Sequence, residues 1–106
     1  MRDRLMQDVL TCEGVQWISL IGPDALPIVS VPKNPDAEAI AAIWFGLDRL
    51  TSEVSEKMLI RTSEAIFLSN RVDENRILLV LAEHDANIGL IRTVLQDAAL
   101  RILDLA

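Results

Sequence analysis

Arg76-Ile77-Leu78-Leu79-Val80-Leu81-Ala82-Glu83-His84-Asp85-Ala86-Asn87-Ile88-Gly89-Leu90-Ile91-Arg92 passes from one structural period to another. Ile77 to Leu81 is continuously apolar rather than alternating, so a strand over Arg76 to Ala82 is expected at the centre of a sheet with both faces covered. Beyond the polar His84 and Asp85, Ile91, Leu95, Ala98, Ile102 and Leu105 recur at helical spacing, widened by Leu90 and Val94. Asp85 or Asn87 can begin that helix, because either side chain accepts an orphan amide hydrogen of the first turn. Gly89 is expected to let that turn pack closely on the sheet.

Upstream, Lys57 to Thr62 and Ala65 to Asn70 read as two further strands around Ser63-Glu64, and the polar Arg71-Val72-Asp73-Glu74-Asn75 leads into the central one. An antiparallel meander follows. At the amino end, Leu5, Met6, Val9 and Leu10 mark a short amphipathic helix ending before Gly14. Val15 to Ile21 and Leu26 to Val31 are β-branched runs around the turn composition Gly22-Pro23-Asp24-Ala25, a hairpin. Pro27 cannot donate to a central ladder, so the second strand is an edge.

Between hairpin and meander, Asn34 or Asp36 can cap a helix running to about Val54. Ile40, Ile43, Leu47, Leu50 and Val54 form one stripe, suited to a sheet. Ala37, Ala41, Trp44 and Phe45 form a second apolar patch beside it. One core cannot hide both, and in so small a chain the cover for the second patch is expected to be another chain. The order of elements is α-β-β-α-β-β-β-α.

The 106 residues suit one domain, 1–106, with 51% hydrophobic residues and an aliphatic core. A net charge of -6 argues against nucleic acid or anionic lipid as partner, since both demand a cationic face. The lone Cys12 allows no internal disulfide, and no stretch resembles a signal peptide or a membrane span. A cytoplasmic protein is expected.

Chemistry finds little support. The four glycines are scattered, so no phosphate cradle is built, and His84 lacks a Cys or second His at ligand spacing. No motif ties His84 and Asp85 to Ser69 or Cys12 as a nucleophile. Neither catalytic, metal nor cofactor-binding residues are assigned. Arg61, Arg71, Arg76 and Arg92 are weighed as arginines acting in trans on a phosphoryl group, Arg71 and Arg76 being placed to reach out from their loop. The reading for each is a paired or solvated surface residue.

The element order resembles that of the roadblock / dynein light chain family, in its prokaryotic small-GTPase regulator form. Asp85-x-Asn87-x-Gly89-x-x-Arg92 resembles the family's strand-to-helix signature, Asp36 to Ala42 the start of its central helix, and Ile60 to Glu64 its middle hairpin. The resemblance implies an α+β, profilin-like fold: a five-stranded antiparallel sheet with the central helix on one face and the terminal helices on the other. It also implies a dimer through central helices and middle strands, and an adaptor or scaffold role toward a small Ras-like GTPase. Ala37, Ala41, Trp44, Phe45, Asp48, Met58 and Ile60 are the expected dimer or partner residues, with Trp44 facing the twin, the core or a partner. Two alternatives stand beside the homodimeric GTPase regulator: a small-ligand sensing or signalling module, which needs an internal cavity, and an enzyme, which needs a cleft at Cys12 or His84.

Overall fold

The computed structural model describes residues 2–24, 26–32, 40 and 57–105. Helix α1 spans Arg2–Leu10, strands β1 to β5 span Val15–Ile21, Pro27–Val31, Lys57–Arg61, Ala65–Arg71 and Ile77–Glu83, and helix α2 spans Ile88–Asp104. The helix expected over 36–54 lies outside the described residues apart from Ile40.

The five strands form one antiparallel sheet in the order β2-β1-β5-β4-β3. The expected α+β sheet is therefore present. The apolar run falls on the central strand, where both neighbours hydrogen-bond to it and side chains enter two layers. Leu78, Val80 and Ala82 face α1 and α2, and Leu79 and Leu81 face the opposite side. Such a strand has no solvent face, which is why its sequence does not alternate. Pro27 sits on the edge strand β2, at a register shift opposite Ile21. There its missing N–H interrupts no central ladder.

On the helix-bearing face, α1 packs on β1, α2 packs on β4, and the helices touch each other. Met6 and Val9 of α1 join Ile18, Leu20, Ile66 and Leu68 of the sheet and Ile91, Leu95, Ala98 and Ile102 of α2 in a continuous core. The α2 stripe ends earlier than its spacing predicts. Leu105 is the C-cap residue, and it and Leu90 are about half exposed. Arg76 is paired, as expected for a surface arginine. Its guanidinium folds back on the Asp73 carboxylate through Nη2 and Nε, at 2.9 and 3.0 Å from Oδ2, bracing the β4–β5 loop instead of reaching out.

Candidate interaction face and the strand-to-helix junction

The sheet face away from α1 and α2 carries a second, smaller core. Trp17, Ile21 and Leu79 are buried there, and Ile40, Ile60, Phe67 and Leu81 pack around them. Register makes the layer continuous: Trp17 opposes Leu81, which opposes Phe67, which opposes Ile60. These pairs lead straight to β3, the edge strand, whose outer side meets no strand among the described residues. The strand carries Met58, Leu59 and Ile60 between Lys57 and Arg61. An edge with an apolar centre and charged ends is short enough to resist indiscriminate pairing yet able to accept a matched strand. The Trp17 indole Nε1 is buried in this layer and has no hydrogen-bond acceptor among the described residues.

At its carboxyl end the central strand β5 turns into α2. Asn87 is the N-cap, with extended backbone, and its side chain accepts the Leu90 N–H at 3.1 Å. Of the two expected caps, Asn87 performs the task, and Asp85 is exposed. Gly89 does not pack on the sheet. It is exposed, and an added Cβ would meet only the Asn87 Oδ1, at 3.6 Å. The close approach belongs to Gly14, whose φ is +92° and whose added Cβ would lie 2.6 Å from the Ala86 Cβ. The Gly14 carbonyl also accepts the Glu83 N–H at 2.7 Å, so the α1–β1 and β5–α2 connections are tied together. Sequence reasoning missed this contact because Gly14 and Ala86 lie far apart in the chain, and only the positive-φ preference of glycine hints at it.

No model of a protein family matches the chain. Protein MJ0714 of Methanocaldococcus jannaschii is 34% identical over 111 residues, covering 96% of this chain and 93% of its own length. A Roadblock/LC7 domain from Streptomyces avermitilis superposes with a TM-score of 0.87 at 17% identity, over 97% of this chain and 95% of that one. Gliding protein MglB of Thermus thermophilus superposes at 0.83, with 15% identity over 99% of this chain and 87% of that one. The chain belongs to one family with MJ0714, and its fold is that of the Roadblock/LC7 domain.

Several expected site residues of this Roadblock/LC7-fold chain, Ala37, Ala41, Trp44, Phe45 and Asp48, lie outside the described residues. Met58 is placed on edge strand β3, and Ile60, directly opposite Phe67, packs against the Trp17 layer. Arg61 and Arg92 are exposed, and Arg71 is engaged with a neighbour. Burial pushes the pKa of the half-buried Cys12 thiol upward, away from the thiolate that a nucleophile needs. Among the described residues no cluster of three or more His, Cys, Asp or Glu could hold a metal ion. No helix among them is long and apolar enough to cross a membrane.

Proposed function

We propose that the chain is a homodimeric adaptor that binds a small Ras-like GTPase and modulates it without catalysing a reaction itself. The observation that carries the reading is the run of apolar contacts from Trp17 across the sheet to Ile60 on β3, whose outer side meets no strand among the described residues. A second copy that adds its own β3 to that edge would satisfy the unpaired backbone groups and extend the sheet. The sequence patch of Ala37, Ala41, Trp44 and Phe45, with Asp48, is proposed as the second half of the surface, because a large aromatic among small residues is a typical anchor. The likeness in fold to MglB supports a regulatory rather than catalytic task, and the GTPase is the partner class that the roadblock resemblance implies.

The test joins sedimentation equilibrium with co-purification against a Ras-like GTPase from the same genome, loaded with GDP or a GTP analogue. A dimer that retains the GTPase in one nucleotide state is expected. Trp44→Ala or Ile60→Asp should weaken self-association or capture. A monomer that binds neither nucleotide form overturns the proposal, and a dimer that binds neither form leaves a scaffold for another partner.

A further inference from the structure

On the helix-bearing face, between β3, β4 and α2, the surface opens into a notch of about 60 Å³. Lys57 and Asn70 stand opposite one another across the β3–β4 pair, and Arg92 enters the same notch from α2. Leu59, Leu68 and Leu95 line its apolar wall. One turn beyond Arg92, Gln96 Oε1 accepts from the Lys57 Nζ at 3.0 Å, which anchors the ammonium at the rim.

Asn70 is only 8% exposed, yet among the described residues no group is hydrogen-bonded to its carboxamide. The carboxamide is not sealed from solvent, so its N–H is available to a polar occupant of the notch in exchange for water. Arg92 is exposed and forms no ion pair with a described residue. Two cations and an amide donor thus converge on one small space, and no carboxylate lines it among the described residues. A single water needs about 10–15 Å³ of such space, so the notch admits a group of a few heavy atoms but no nucleotide.

We propose that this notch binds an oxyanion, a carboxylate or phosphate group held by the Arg92 guanidinium, the Lys57 ammonium and the Asn70 amide N–H. The planar fork of arginine suits both shapes, and the leucine wall strengthens each charge-assisted bond by excluding water. The chain carries a net charge of -6, so its overall field repels anions and capture depends on these local donors. The site lies on the face opposite the Trp17 layer and is independent of the GTPase reading.

Two-dimensional amide NMR of the full chain, titrated with sodium phosphate and separately with sodium acetate, tests the site. Sodium chloride at matched ionic strength is the reference. Saturable shifts are expected at the Asn70 side-chain amide and the Arg92 Nε–H with at least one oxyanion. Phosphate alone assigns a tetrahedral ligand, acetate alone a planar one, and either supports the site. Arg92→Gln and Lys57→Gln change exposed side chains and should each weaken binding about tenfold or more, the loss of one charge-assisted bond. Shifts no different from those in chloride, or unchanged in both variants, mean an adventitious ion only and overturn the proposal.

Discussion

Gly14→Ala and Gly89→Ala should change stability in opposite directions. At Gly14 two costs add. A φ of +92° is disfavoured for any residue with a Cβ, by about 1–2 kcal/mol. The new methyl would also stand 2.6 Å from the Ala86 Cβ and 3.3 Å from its Cα, against a short segment tied through the Glu83 N–H to Gly14 itself. Relieving such overpacking costs about 1–3 kcal/mol, for roughly 2–5 kcal/mol in all. Gly89 lies in the first turn of α2 with ordinary contact at 3.6 Å, so alanine there should stabilise by about 0.5–1 kcal/mol through helix propensity. The assay is equilibrium urea denaturation followed by circular dichroism, at one protein concentration because self-association adds to apparent stability. With a slope of about 1–3 kcal/mol/M, Gly14→Ala should lower the midpoint by roughly 0.7 M or more. Ala86→Gly placed in the Gly14→Ala background should recover the contact part and leave about 1–2 kcal/mol from φ. A Gly14→Ala protein within about 0.5 kcal/mol of the parent, or two glycine variants shifted alike, would refute the reasoning.

Asn87→Ala removes the cap acceptor of the Leu90 N–H and should cost about 1 kcal/mol in the same assay, whereas Asp85→Ala should be near neutral. For Asp73, partial burial pushes the carboxyl upward, but the hydrogen bonds from Arg76 and the Asn75 N–H, with the nearby charge of Arg76, outweigh it and hold the group below its ordinary value. A folded-state value depressed in this way contributes stability above the unfolded value of about 3.9, lost as pH falls through the folded one. The Asp73 side chain is 31% exposed, so the contribution is at most about 1 kcal/mol. The gap in urea midpoint between the parent and Asp73→Asn should therefore be present near neutral pH and close below about pH 4. A gap that stays constant on acidification would count against it.

What was legible in the sequence was whatever a short window encodes. The unbroken run from Ile77 to Leu81 marked the central strand, Pro27 marked an edge, and the Asx residues ahead of Ile88 bracketed the start of α2. Contacts between distant segments left no such trace. Gly14 against Ala86 and Lys57 beside Asn70 and Arg92 exist only once β1, β3 and β4 have joined the sheet. Gly89 was given the packing duty of Gly14 because a glycine in a helix start commonly means close approach, and here the side facing solvent needed none. Spacing along the loop allows Arg76 to be paired or solvated, and only the folded loop shows that Asp73 is its partner.

The Gly14 junction bears on function through β1. In an uninterrupted strand Val15 and Trp17 would point to the same face. Here the register shifts between them: Val15 opposes Ala82, and Trp17 opposes Leu81. Two residues of β1 thus answer one step of β5, with the exposed Gln16 taken up by the irregularity. The result sends Val15 toward the helix-bearing core and Trp17 to the opposite layer. The shift starts one residue after Gly14, whose carbonyl is bonded to Glu83, the last residue of β5. The tie therefore fixes where β1 enters the ladder, and a slip by one residue would turn Trp17 into the helix-bearing core and bring polar neighbours into the opposite layer. The face proposed to meet a second copy is therefore set by a contact between the start of β1 and the end of the central strand β5, not by β3 itself.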